Sequence, residues 1–110
     1  MQIDILARDF SLTEALTSHI RYRLGTALNK LEDQIQRVRV RLSDINGPRG
    51  GEDKQCQLQV VMDQLPDIII EDIESDMYFA IDRAAERAGR TVGRRVARQR
   101  SLSRSMPYSG

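Results

Sequence analysis

Residues 36–43 have the sequence Gln-Arg-Val-Arg-Val-Arg-Leu-Ser, in which charged and apolar side chains alternate. Successive side chains of an extended strand point to opposite faces, so each set has a face of its own. The apolar set is Val38, Val40 and Leu42, and the basic set is Arg37, Arg39 and Arg41. This pattern predicts a strand in a sheet that is covered on one side and open to water on the other.

The same alternation recurs in other parts of the chain. One face of residues 54–62 is apolar and the other carries three glutamines, while residues 67–73 contain three consecutive isoleucines. Between the two alternating segments, residues 46–51 hold a proline and three glycines, which favour a hairpin loop. The predicted strands therefore cover residues 2–7, 36–43, 54–62 and 67–73.

A first helix is predicted after the first strand. Ser11 and Glu14 form the pattern S-x-x-E, which is typical of a capping box at a helix start. Apolar residues then recur every three or four positions, the spacing of one buried helical stripe, until the helix ends near Glu32 to Gln34. The stripe consists of Leu12, Leu16, Ile20, Leu24, Ala27, Leu28 and Leu31.

A second helix is predicted to begin at Ser75 or Asp76 and to run to about Arg100. Gly89 and Gly93 lie inside it, where glycine costs about 1 kcal/mol relative to alanine. They indicate either close packing against a neighbour or a weaker helix at that end. Its apolar stripe consists of Met77, Ile81, Ala84, Ala85, Ala88, Val92 and Val96.

The predicted order, β-α-β-β-β-α, defines an α+β fold in a single domain. The helix between the first two strands makes that pair parallel, and the later strands form an antiparallel meander. We expect a four-stranded sheet with both helices packed on one face, similar to a double-stranded-RNA-binding domain. The domain is expected to cover residues 1–100, and the serine-rich residues 101–110 to form a flexible tail.

Length and composition exclude several classes of protein. With 110 residues the chain can build one core. No apolar run approaches the ~18 residues of a membrane helix, and the N-terminus shows no leader pattern. A single cysteine, Cys56, excludes an internal disulfide and favours a cytoplasmic protein.

The net charge of +1 hides a strong asymmetry. Residues 1–75 hold 9 basic and 13 acidic side chains, whereas residues 76–110 hold 8 arginines and 3 acids. On a helical wheel, five of these arginines fall within about 80° of each other, opposite the apolar stripe, along about 22 Å. They are Arg83, Arg87, Arg90, Arg94 and Arg98. Guanidinium groups in such a row are suited to nucleic-acid phosphates; the alternative is that they offset the helix dipole and keep the surface soluble.

Further features leave two interpretations open. One flank of the first helix carries His19, Arg23, Thr26 and Lys30. If the two helices lie side by side, this flank could face a groove shared with the arginines of the second helix; otherwise it faces only water. Phe79, one turn before Arg83, could stack on a base or pack beneath a loop. The arginines of residues 36–43 form either a solvated sheet surface or a second nucleic-acid contact.

Catalysis has little support in the sequence. Cys56 falls among inward-facing apolar residues, where a thiol is usually inert. His19, the only histidine, has no metal-ligand spacing around it. The acidic side chains of residues 67–76 are expected to surround a helix N-terminus, although Asp72 falls on the inward side of its strand. We therefore expect no enzyme activity, no metal and no cofactor.

The chain resembles the ribosome hibernation promoting factor and ribosome-associated inhibitor family, in its short form, the ribosomal subunit interface protein. The similar segments are Met-Gln-Ile-x-Ile from Met1, residues 12–16 (Leu-Thr-Glu-Ala-Leu), Arg23-Leu24, and residues 74–82 (Glu-Ser-Asp-Met-Tyr-Phe-Ala-Ile-Asp). The resemblance implies binding to the small ribosomal subunit and its RNA near the decoding region. It further implies translation inhibition, or protection of idle ribosomes, in the cytoplasm.

For the site residues, the resemblance matches Arg23 to a basic position of helix one. The arginines of helix two match the family only as a basic helix, not residue for residue. Lys30 is included among the predicted RNA-binding residues because it lies on the same flank of helix one as Arg23. No membrane, small-molecule substrate or dimerisation domain is expected. The rival hypothesis is a module of the same fold that binds another RNA or a protein partner.

Overall fold

The computed structural model describes residues 1–45 and 53–105, which form four strands and two helices in the predicted β-α-β-β-β-α order. The predicted hairpin loop at residues 46–51 lies outside the described residues. A short 3-10 segment, Asn29–Gln34, continues the first helix. The elements are β1 (Gln2–Arg8), α1 (Glu14–Leu28), β2 (Ile35–Asp44), β3 (Lys54–Met62), β4 (Ile68–Glu74) and α2 (Met77–Ser105).

The strands form one mixed sheet in the order β1-β2-β3-β4. β1 pairs with β2 in parallel, and the two later pairs are antiparallel. Val40 lies opposite Ile5 on one side and Leu58 on the other, so the apolar positions of neighbouring strands are in register. The predicted parallel pair and meander are confirmed.

One face of this sheet is buried beneath both helices. Val38, Val40 and Leu42 of β2 are at most 1% exposed and share one core with the apolar stripes of α1 and α2. Arg39 and Arg41, which alternate with them, are exposed on the opposite face. The α+β fold with two helices on one face is therefore confirmed.

The start of α1 differs from the predicted capping box at Ser11 and Glu14. Thr13 is the N-cap, and its Oγ1 accepts a hydrogen bond of 3.1 Å from the backbone N–H of Leu16. Threonine at 13 reaches the third helical N–H in the usual N-cap geometry, which leaves Ser11 outside the helix and Glu14 in its first turn. Leu12 consequently precedes the helix and is 38% exposed.

α2 begins at Met77 and is capped by Asp76, one of the two predicted caps, whose Oδ1 accepts a 3.0 Å hydrogen bond from the Tyr78 N–H. All seven residues of its predicted stripe are buried. The helix continues to Ser105, five residues beyond the predicted end, so these residues of the predicted tail are helical. Residues 106–110 lie outside the described part of the chain. Within that part, no helix has the length and apolar character of a membrane span.

The two helices run side by side in the same direction, because residues 19 and 27 of α1 meet residues 82 and 89 of α2 in that order. Gly89 sits against α1: a Cβ at this position would lie 2.9 Å from the backbone oxygen of Ala27. Gly93 has nothing within 4 Å of its virtual Cβ. Close packing therefore accounts for Gly89 but not for Gly93.

Candidate nucleic-acid interface

Four of the five predicted arginines form an exposed row on the outer side of α2. These side chains are exposed, and no ion pair or hydrogen bond joins them to another residue of ranges 1–45 and 53–105. Their guanidinium groups are thus available to an external anion. We call this set, Arg83, Arg90, Arg94 and Arg98, the α2 arginine row.

Arg87, the fifth predicted arginine, is turned towards β4 instead. Its Nη1 donates a 2.6 Å hydrogen bond to the backbone oxygen of Glu71 and lies 3.2 Å from Oδ2 of Asp72. This contact also explains why Asp72 occupies an inward position, since its carboxylate, 10% exposed, is paired there. The structure therefore corrects the row to four members, and a contact of Arg87 with RNA stays a prediction.

Arg23 of α1 lies in a polar cluster between the helices. Its Nε is 3.0 Å from Oδ1 of Asp82, although not aligned for a hydrogen bond, and its Nη2 is 4.0 Å from Glu86. His19 Nε2 lies 2.6 Å from the same Asp82 oxygen. Of the four flank residues, Arg23 and Thr26 line a groove between the helices together with Arg90. Acidic side chains of α2 already partner Arg23 there.

Lys30 lies in the 3-10 segment after α1 and is exposed. No ion pair holds its ammonium group within the described ranges. Lys30 is therefore a candidate to bind an anion beyond the C-terminal end of α1.

Two further arginines, Arg95 and Arg100, were missed by the helical wheel. On the wheel Arg95 falls among the positions of the apolar stripe, yet the structure leaves its side chain exposed. The 29-residue helix is about 42 Å long, whereas strands of seven to ten residues reach about 23–33 Å. Nothing from Ala97 to Leu102 is buried, so α2 projects beyond the sheet with arginines on several sides. Comparing predicted element lengths could have found them.

The open sheet face carries a weaker basic surface. Arg37 lies 3.9 Å from the carboxylate of Asp4, while Arg39 and Arg41 point to solvent. Acidic side chains at the margins, such as Asp67 beside Gln59 at 2.8 Å, reduce its positive character.

Cys56 is fully buried, as predicted, opposite Asp72 in the β3–β4 pair. Burial, with a smaller contribution from the Asp72 charge, raises the pKa of its thiol to about 12. The thiol is therefore protonated near neutral pH and is a poor nucleophile. Over the described residues, no group of three His, Cys, Asp or Glu side chains is placed to hold a metal ion.

The fold and this surface define a small α+β domain that presents a long basic helix. A family model matches residues 3–100, and the chain belongs to that family, described as sigma 54 modulation protein / S30EA ribosomal protein. The family resemblance inferred from the sequence is thereby confirmed.

Two solved structures have the same fold. The N-terminal domain of Protein Y from Thermus thermophilus is 24% identical, with a TM-score of 0.71, over 86% of this chain and 98% of that one. A ribosomal subunit interface protein from Coxiella burnetii is 18% identical, with a TM-score of 0.76, over 88% and 99%. No curated protein matches the sequence significantly.

Proposed function

We propose that this chain is a cytoplasmic factor that binds the small ribosomal subunit near the decoding region. There it inhibits translation or protects idle ribosomes. Family membership supports ribosome association, and the Coxiella burnetii relative is a ribosomal subunit interface protein. The decoding-region site rests on the sequence resemblance. The partner is ribosomal RNA, and the activity is binding without catalysis or a cofactor.

The observation that carries this proposal is the α2 arginine row. Four guanidinium groups, with no hydrogen bond or ion pair to the part of the chain that the structure describes, lie along about 22 Å of one helix. Like charges three or four residues apart destabilise a helix by about 0.2–0.5 kcal/mol per pair, so an isolated helix gains nothing from them. An RNA backbone offsets this repulsion, because each guanidinium meets a phosphate and releases its counterions.

The projecting end of α2 extends this surface. Arg95 and Arg100 leave the helix on other sides than the row. Arg95 directly precedes Val96, the last buried residue among those whose burial is described, and Arg100 lies beyond it. A basic rod that is exposed on several sides is suited to a cleft with phosphates on more than one wall. The ribosomal decoding region, a cleft lined by RNA, offers such an environment to the helix end.

Sucrose-gradient sedimentation of the tagged protein from growing and starved cells tests the proposal. We expect a peak of the protein with small subunits, and competition with messenger and transfer RNA when purified subunits are used. Recovery of another RNA or a protein partner, without a peak at the small subunit, would favour the rival binding module.

A further inference from the structure

An aromatic side chain lies exposed at the start of the basic surface. Phe79, in the first turn of α2, is 47% exposed, and the guanidinium carbon of Arg83 lies 5.8 Å from its ring centroid. The neighbouring Tyr78 packs edge-on against His19 at 5.0 Å, so it helps to join the two helices. Phe79 is outside the buried core and has no such role.

We propose that Phe79 and Arg83 form a stacking site for an unpaired nucleobase of RNA. This proposal rests on the proposed function and deepens it, because it names the kind of nucleotide that the surface holds. A base can stack on the exposed ring, and the guanidinium then contributes both a cation–π contact and a partner for the adjoining phosphate. A duplex cannot supply this ligand, since its bases are already stacked.

The charges around Phe79 favour an anionic, planar ligand. Asp76 is occupied as the N-cap of α2, and Asp82 faces His19 and Arg23 in the interhelix cluster. Their carboxylates are therefore partnered within the protein. Arg83 continues into the α2 arginine row, so a strand whose base stacks on Phe79 has its phosphates beside consecutive guanidinium groups.

A second exposed aromatic provides a matched comparison. Tyr22 on α1 is 66% exposed, but no arginine or lysine lies over its ring within residues 1–45 and 53–105. Exposure without a neighbouring cation should give a weaker stacking site. The two positions thus separate specific stacking from adventitious contact with any surface aromatic.

The absence of tryptophan from the sequence permits a direct optical test. Phe79→Trp places a single indole at the stacking site, and Tyr22→Trp places one at the comparison site. Single-stranded oligoadenylate should quench the Phe79→Trp fluorescence in a saturable way, while a duplex RNA and the Tyr22→Trp variant should show little change. Phe79→Leu should weaken oligoadenylate binding about 10-fold, whereas Phe79→Tyr should retain it.

The proposal is overturned if saturating oligoadenylate leaves the Phe79→Trp emission unchanged, if both tryptophans respond equally, or if Phe79→Leu binds as the wild type does. Co-sedimentation with small subunits reports separately on the proposed function. If any of these overturning results is found while the wild-type protein still sediments with the small subunit, the stacking site is removed and the proposed function stands.

Discussion

Replacing Arg90, Arg94 and Arg98 by glutamine removes three charges of the α2 arginine row and keeps residues that favour helix. When the projecting end is included, six arginines in residues 77–102 of α2 are exposed and have no hydrogen bond or ion pair to the described residues. If each neutralises one phosphate, the logarithm of the binding constant should fall with the logarithm of salt concentration with a slope of about −4.2 to −5.4. The triple variant should flatten that slope by about 2 to 3.

The affinities follow from these slopes. Between 50 and 200 mM salt, wild-type binding to small subunits should weaken about 300- to 2,000-fold, and binding of the triple variant only about 20- to 40-fold. Filter binding or fluorescence anisotropy at four or more salt concentrations measures both slopes. The melting temperature should stay unchanged or rise slightly, because the variant relieves two like-charge pairs at i,i+4 spacing.

The matched control is the triple glutamine variant of Arg37, Arg39 and Arg41, which removes the same charge from the open sheet face. It should bind with a slope close to that of the wild type. The reasoning would be refuted if the helix variant kept the full salt slope while the sheet variant lost it. The RNA surface would then be the open face of the sheet.

Four further predictions concern the fold and its polar contacts. Gly89→Ala should destabilise the protein by about 1–3 kcal/mol, because the new Cβ meets the backbone of α1. Gly93→Ala should stabilise it by up to about 1 kcal/mol, because nothing lies within 4 Å of the new Cβ. Denaturant unfolding measures both, and equal effects would contradict the packing argument. Cys56→Ala should cost about 1–2 kcal/mol, and rapid alkylation of the native thiol at pH 8 would argue against its burial. Because burial raises the pKa of that thiol to about 12 from an ordinary 9.0, its contribution to stability should hold below pH 9 and decline as the pH rises from there towards 12, as pH-dependent unfolding would show. Arg87→Gln should lower the free energy of unfolding by about 1 kcal/mol, since it leaves the carboxylate of Asp72 without its partner. Combining it with Asp72→Asn should recover part of the loss. If the effects of the two substitutions on the free energy of unfolding were strictly additive, the Arg87–Asp72 pair would not be stabilising.

Local patterns account for most of the architecture. The period-2 alternation placed Val38 to Ser43 of β2, and the side chains of β3, on their correct faces, because a strand has only two faces. It fails at the start of β2, where an irregularity between Ile35 and Arg37 leaves Ile35 buried and Gln36 exposed. The apolar stripe of α2 was likewise complete, since burial repeats every three or four residues whatever the helix packs against. The capping box failed because Ser11 and Thr13 both have the chemistry of an N-cap, and only the path of the chain from β1 selects the threonine.

The binding surface, by contrast, depends on which elements meet. A helical wheel gives the direction in which Arg87 leaves α2, but β4 happens to present a backbone oxygen and the Asp72 carboxylate there. Arg23 looked free on α1 until the parallel packing of the helices brought Asp82 and Glu86 beside it. Arg95 shares its wheel position with the apolar stripe but stays exposed, because the helix is longer than the sheet beneath it. Charge pairing acts over a few ångströms between residues far apart in the chain, so only the tertiary structure decides which arginines are left for a partner.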